Sequence, residues 1–410
     1  MSGPLTGKFP ALAYPNFRYF WLGQSVSLIG TWMQTTAQQW LVYTLTKSAF
    51  LLGLLGVAQF GPIMVLSLFA GVLVDRYPKK QLLLFTQAAL MVQAVALALL
   101  VWSGHVLYWE VLVLAALLGL VNTLDNPARL SFLLELVDRK DLRSAIGLNS
   151  TIFNIARMLG PALAAVLMAR FGIGFLFFIN AISFLPVLLG LSLIRPNAAV
   201  INRVEKKVLA EILEGLQYIR RSGVLSSAVL LMLAIGTFVW NFNVILPLYA
   251  AETLGQGVRG YGFLMSASGA GSVAGALLVA SWAKGNPALR LLFGSGLIVS
   301  GLLILLNFSG ALPLAAALLA VIGFFNIIFN TTANSIVQLN SSNEFRGRAL
   351  SVYSFAFVGT TPVGNLFAGS ITEKFGPGIG FLMCGVASAF TIGLTALNLF
   401  LKKRARRAEA

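Results

Sequence analysis

A chain of 410 residues that is 58% hydrophobic, only 10% charged and +0.86 in mean hydropathy does not have the composition of a water-soluble globule, so lipid is the solvent for most of its surface. The formal charge of +16 would suggest a nucleic-acid partner if the basic residues made one patch on a soluble fold. Instead they stand in short clusters between apolar runs, and no nucleic acid is expected.

Residues 1–16 carry no cleavable signal pattern, so the first long apolar run stays as a span. A helix needs about 20 mostly apolar residues to cross a core of roughly 30 Å, and the runs here are continuous rather than alternating, which favours helices over barrel strands. They predict spans near 17–45, 51–74, 81–102, 111–130, 145–169 and 173–194, then 225–251, 260–283, 289–308, 312–333, 349–371 and 378–401. The single cysteine, Cys384, lies in the last run, excludes a disulfide framework and reads as a small buried hydrophobe. Lys47, Arg170, Arg259 and Lys374 fall in one set of alternate loops and Arg157 within a span. The rest of the 29 Lys and Arg lie in the other set, which puts both termini on the cytoplasmic side of a multi-pass inner-membrane protein.

The longest polar stretch, between spans six and seven, holds Val208, Ile212, Leu216 and Ile219 at helical spacing beside Glu205, Lys206, Glu211 and Arg220, and reads as an amphipathic linker helix at the cytoplasmic surface. The expected division is therefore 1–194 for an N-terminal six-helix bundle, 195–224 for the linker and 225–410 for a C-terminal six-helix bundle. The two halves also match weakly. Asn122 and Asn326, Ala145 and Ala349, Gly160 and Gly364, and Phe171-Gly172 and Phe375-Gly376 align at one offset of 204 residues, and a slightly larger offset brings Gly53 onto Gly262. The expected class is all-α, with twelve transmembrane helices in two pseudo-symmetric bundles, an arrangement that transporters use with a central site.

After span two stands Gly71-Val72-Leu73-Val74-Asp75-Arg76-Tyr77-Pro78-Lys79-Lys80, which resembles the loop signature of the major facilitator superfamily. The resemblance implies a cytoplasmic gate in which Asp75 meets a helix N-terminus of the opposite half, a placement a carboxylate favours, while Arg76 and Lys80 pair with nearby acids. Arg129, at the inner end of span four, belongs with this gate. In the second half Lys284 replaces the aspartate, so the latch is one-sided. Span five carries Gly147, Ala156, Gly160-Pro161 and Ala164-Ala165, which resembles the antiporter motif of exporters in this superfamily with three glycines turned to alanine. Such a stripe lets helices approach closely, and Gly271 and Gly275 in span eight are its expected counterpart. Asn122-Thr123-Leu124-Asp125-Asn126-Pro127-Ala128-Arg129, Leu148-Asn149-Ser150 and Ala156-Arg157-Met158-Leu159-Gly160-Pro161 look like the branch of enterobactin-type siderophore exporters and drug–proton antiporters. That likeness implies the major facilitator fold, export and a monomer.

Charges inside spans are costly and mark function. Two lie deep: Asp125 and Arg157, about 9 Å and about 18 Å from the inner face by helical rise, are the expected proton-coupling acid and its partner. Glu110 and Glu252 sit near outer ends, and the only histidine, His105, is a loop residue. The other polar residues suggest an aromatic and amide lining: Trp32, Gln34 and Gln38 in span one, Asn154 in span five, Trp240 and Asn241 in span seven, Asn326 and Asn330 in span ten. Such a lining suits large ligands with rings and hydrogen-bonding groups better than a small ion, and the resemblance implies a small amphipathic substrate of the drug or siderophore class, moved by secondary active transport with protons as the coupling ion. A lipid or lysolipid flippase of the same fold is the alternative. A lipid-modifying enzyme is disfavoured, because there is no phosphate loop and no Cys/His cluster, and no metal or cofactor is expected.

Overall fold

A computed structural model describes residues 9–194, 208–282, 288–342 and 344–408, and among these it is helical with no strand. Proximity of Cα positions groups the chain into two units, Met1–Leu45 with Gly61–Val204, and Thr46–Phe60 with Glu205–Ala410.

The first unit holds α1 (Pro15–Thr46), the later part of α2 (Ala49–Arg76), α3 (Lys79–Trp102), α4 (Tyr108–Leu136), α5 (Leu142–Phe171) and α6 (Ile173–Leu193). Phe17 and Phe20 of α1, Leu83 of α3, Phe132 of α4 and Phe184 of α6 meet in its apolar core. Bare backbone lets α1 and α6 touch: a β-carbon at Gly23 would lie 2.6 Å from Val187 Cα, and one at Gly190 would lie 2.7 Å from the Tyr19 carbonyl. The chain enters α1 through one tight turn, Pro10–Ala13, whose Ala11 is buried. Next to it the Tyr14 hydroxyl lies 2.8 Å from carboxylate oxygens of both Asp138 and Asp141. Bonding to Asp141, with Asp138 beside it, pushes the Tyr14 phenol far above its ordinary range, so it remains a donor at every working pH. Lys80 Nζ sits on the Ser192 and Ile194 carbonyls at 3.1 and 2.6 Å, where the C-terminal dipole of α6 attracts a cation.

The second unit holds α7 (Val208–Arg221), α8 (Gly223–Phe238), α9 (Phe242–Leu248), α10 (Val258–Trp282), α11 (Leu289–Leu306), α12 (Leu312–Asn340), α13 (Arg346–Ser354), α14 (Thr361–Phe375) and α15 (Pro377–Ala408), together with the start of α2. That start is capped by Glu373, which accepts from Ser48 Oγ at 3.0 Å and Phe50 N at 3.2 Å, and Gly53 lies against the Asn365 carbonyl. Two wide turns, Tyr249–Thr253 and Phe355–Gly359, interrupt the helical ladder.

Ten helices among the described residues are long and apolar enough to cross a membrane, two fewer than the spans read from the sequence. The difference has two causes. Helix α1 is 32 residues long but carries Gln24, Gln34, Gln38 and Gln39 among its Ser and Thr, which dilute its apolarity. The eleventh expected span, 349–371, is cut by the wide turn into α13 and α14. The expected linker helix forms over Val208–Arg221, while residues 195–207, with Glu205 and Lys206, lie outside the described residues.

The closest packing in the second unit joins α10 to α12. A β-carbon at Gly271 would run into the Ala320 carbonyl, one at Gly275 would lie 2.5 Å from the Phe324 carbonyl, and one at Gly323 would run into Ser268. Gly271→Val is therefore expected to overpack this seam, at a cost of about 1–3 kcal/mol, and to lower the apparent melting temperature by roughly 3–10 °C in a detergent thermal scan. Gly147→Val, with nothing within 4 Å of the added carbon, should leave the melting temperature unchanged.

Candidate functional site

Asp125 is fully buried in α4, and its carboxylate is satisfied on both oxygens. Thr86 Oγ1 and Gln87 Nε2 of α3 donate to Oδ1 at 2.7 Å each, and Arg129, one turn further along α4, pairs with Oδ2. Each contact is forced by the surroundings, since a carboxylate enclosed by apolar helices is tolerated only when paired and hydrogen-bonded. The ion pair found at Asp125 differs from the expected one with Arg157. An i,i+4 arginine reaches the carboxylate along its own helix, with no difference in depth to bridge. Arg157, half-buried on α5, instead holds its guanidinium carbon 5.9 Å from the Trp32 ring centroid of α1, a cation–π distance.

Around Trp32, helices α1 and α5 pack closely. Phe153 meets the Trp32 ring edge-on at 5.7 Å, Arg157 stands over the ring from α5, and Gly160 would place a β-carbon 2.5 Å from Trp32 Cβ. Pro161 is buried in the same helix. Asn154 donates to the Ser150 carbonyl at 2.8 Å. Gln38 is buried, and both atoms of its amide lack a hydrogen-bond partner among the described residues. Gln34, by contrast, is engaged at both ends: it donates to Gln93 Oε1 at 3.0 Å and accepts from Asn180 Nδ2 at 2.7 Å, tying α1 to α3 and α6.

In the second unit Trp240 and Asn241 lie at the break between α8 and α9. The Trp240 indole meets Phe357, in the wide turn before α14, edge-on at 4.7 Å, and Gly236 lets α8 approach the Ala356 carbonyl. Asn241 stitches the break with its own amide, donating to the Gly236 carbonyl at 3.2 Å and to that of Thr237, which leaves its Oδ1 buried without a donor. Asn326 Oδ1 is buried in the same condition, whereas Asn330 Oδ1 accepts from Tyr353 OH at 2.8 Å.

The gate residues are only partly described. The side chains of Gly71 and Asp75 lie outside the described residues, and Arg76 is exposed. Lys80, expected to meet an acid, caps α6, because bare terminal carbonyls are the nearer acceptors, and Arg129 is committed to Asp125. Gly271 and Gly275 face α12, where backbone atoms of Ala320 and Phe324 lie close. His105 is exposed in its loop, and among the described residues no three His, Cys, Asp or Glu gather as metal ligands. Thr86, Gln87, Gln93, Asn180, Tyr353 and Phe357 had not been singled out. The first four carry a legible signal, as polar residues interrupting the third and sixth apolar runs.

Comparison with known proteins agrees with this architecture. A family model described as transmembrane secretion effector, of the major facilitator superfamily, matches residues 6–409. The chain is 25% identical to the staphyloferrin A transporter of Staphylococcus aureus, over 94% of this chain and 96% of that one. It is likewise 25% identical to the multidrug efflux pump Tap of Mycolicibacterium fortuitum, over 91% and 95%. Against macrolide efflux protein A of Streptococcus pyogenes it is 22% identical, over 90% and 92%. Among solved structures the nucleoside transporter NupG superposes with a TM-score of 0.73 at 12% identity, over 94% and 99% of the two chains. A bacterial homologue of the lysosomal transporter Spinster, inward-facing and unoccupied, gives 0.71 at 15%, over 95% and 96%. At these identities the two structures show the fold alone.

The Gln34 linkage makes a distinct prediction. Gln34→Leu and Asn180→Leu should each destabilise the first unit by about 0.6 kcal/mol and at most about 1.7, and the double variant should cost less than the sum. Thermal scans of the three variants measure this. Additive losses would show that the two amides do not act as a pair.

Proposed function

The chain belongs to the transmembrane secretion effector family of major facilitator transporters, and on that premise we propose that it is a proton-coupled exporter of amphipathic small molecules, of the drug or siderophore class, working by alternating access. It is a transporter and not an enzyme, as the family and its relatives are. The finer reading has it as a monomer in the inner membrane. Helix α1 and the interrupted α13–α14 segment complete twelve spans, both termini face the cytoplasm, and the halves 1–194 and 225–410 are joined by 195–224.

The observation that carries this reading is the buried Asp125 with Arg129, Thr86 and Gln87 around it. A proton taken up by Asp125 removes the charge that holds Arg129, while Thr86 and Gln87 still have an oxygen to bond. The proton thus exchanges one satisfied arrangement for another with a differently placed guanidinium, which is the discrete two-state element that coupling requires. Arg157, set over Trp32, becomes a substrate contact instead of the partner of the acid. Trp32, Asn154 and Gln38 in the first unit and Trp240, Asn241 and Asn326 in the second supply aromatic surface and amides, with Asn330 held in place by Tyr353. The relatives named for staphyloferrin A, macrolides and multiple drugs support substrates of that amphipathic kind. Asp75 with Gly71, Arg76 and Lys80 keeps its place as the inner gate.

Asp125→Asn keeps the shape of the side chain and cannot carry the proton cycle. In everted vesicles loaded with an imposed pH gradient, the variant should accumulate a macrolide or ethidium no better than vesicles lacking the protein, while quenching of tryptophan fluorescence still reports binding. Accumulation at the wild-type level would remove Asp125 from the coupling step.

A further inference from the structure

Helix α7 presents two faces with different chemistry. Residues 214, 215, 218 and 219 are docked on the second unit. Glu214 pairs with Arg348 at 2.6 Å, Gly215 lets the helix lie against Arg348, and Ile219 is buried. The Tyr218 ring stacks on Phe345 at 4.6 Å with an interplanar angle of 5°, and its hydroxyl accepts from Ser342 N at 2.9 Å. These contacts clamp α7 to the turn between α12 and α13. The sequence pattern had assigned Leu216 to the same stripe as Ile219, but the structure turns it away.

Residues 213, 216, 217 and 220 form the other stripe, at i, i+3, i+4 and i+7. Leu213 is 54% exposed and Leu216 40%, and beside them Gln217, Arg220 and Arg221 are exposed. Among the described residues no ion pair reaches either arginine, and Glu214 is taken by Arg348. Depth is set by the chain itself. Arg221 ends α7, Ser222 caps the next helix by accepting from Leu225 N, and Gly223 opens a segment that crosses the membrane, Gly223–Thr253. The two arginines therefore lie where hydrocarbon gives way to headgroups, with two leucines on the same side.

We propose that α7 is an interfacial helix that grips an anionic phospholipid surface, with Leu213 and Leu216 entering the acyl boundary and Arg220 and Arg221 binding phosphate groups. Water gives two exposed leucines on one stripe nothing, while a bilayer edge takes an apolar stripe and a cation together. The anionic lipid is singled out by charge: two arginines two and three residues before the span, without acidic partners among the described residues, each attract a negative leaflet. Because the opposite face is clamped through Glu214 and Tyr218, the lipid surface also steadies the turn that leads into α13.

The test uses the full-length protein in nanodiscs. With Cys384→Ala as background, Leu213→Cys carries an environment-sensitive fluorophore, and His105→Cys gives the reference for an exposed loop. Discs of phosphatidylcholine are compared with discs containing about 30% phosphatidylglycerol, near the charge of an anionic leaflet. The label at position 213 should be shielded from aqueous iodide, and more so with phosphatidylglycerol. Affinity for phosphatidylglycerol, from titration in native mass spectrometry, should fall about fivefold for each of Arg220→Gln and Arg221→Gln, equivalent to about 1 kcal/mol apiece. Glu214→Gln, on the clamped face, should leave that affinity unchanged. Quenching equal to that at position 105, shielding indifferent to lipid charge, or unchanged affinity in the double arginine variant would each overturn the proposal.

Discussion

Hydrocarbon offers a polar group no partner, so every amide, hydroxyl and carboxylate carried into the bundle has to be answered by another part of the protein. Much of the internal structure follows from this constraint. Gln93, Gln34 and Asn180 form one chain of amides through three helices, with Gln93 Nε2 passing on to the Leu114 carbonyl at 3.2 Å. Hydroxyls close onto the preceding turn of their own helix, as Thr36 does on Trp32 and Ser272 on Ser268. The places where the accounting stays open stand out by contrast. Gln38, and the amide oxygens of Asn241 and Asn326, are buried acceptors without donors among the described residues, and such groups hold latent affinity for a ligand that brings donors.

The same constraint explains the irregular backbone of the second unit. A helix break inside a membrane costs unpaired carbonyls, and here the break after Phe238 is closed by the Asn241 amide on the Gly236 and Thr237 carbonyls. Its neighbour, the wide turn Phe355–Gly359, packs directly against it through Trp240 and Phe357. Two irregular stretches supporting one another concentrate adjustable backbone at the site where aromatic and amide groups are already gathered.

Helix identity was legible because apolar runs of membrane length have few alternatives, and the deep acid was legible because a lone carboxylate in such a run has no bland explanation. Partners were not legible. The sequence reading gave Asp125 the partner Arg157 and placed Arg129 at the gate, and the geometry shows that the i,i+4 residue reaches the acid. Small-residue stripes carry the same ambiguity: Gly160 seats Trp32 and Gly271 seats Ala320, yet a glycine in sequence says only that something comes close. The two expected spans that fall short, α1 through its glutamines and the α13–α14 segment through its interruption, are also rich in polar or irregular features.

The internal repeat turns the Asp125 cluster from an oddity into a division of labour. At the offset that aligns the fourth and fifth spans with the tenth and eleventh, helix ends correspond closely: Gly172 and Gly376 both take a positive φ, 82° and 84°, as the caps of α5 and α14. Glycine holds that backbone without a clashing β-carbon, so the two halves share one way of ending a helix. Side chains at the same offset do not correspond. Phe329 stands where Asp125 stands, and Ala333 where Arg129 stands, both buried and apolar. Phe329 lies against Gly296 of α11, as Asp125 lies against Gln87 of α3, so the third-to-fourth helix contact is built in both halves, with polar pairing in one and ring-on-glycine packing in the other. A purely structural need to join two helices is therefore met without charge, as the second half demonstrates with its own residues. The ion pair in the first half costs desolvation that Phe329 avoids, so the need to pack two helices together does not by itself account for it.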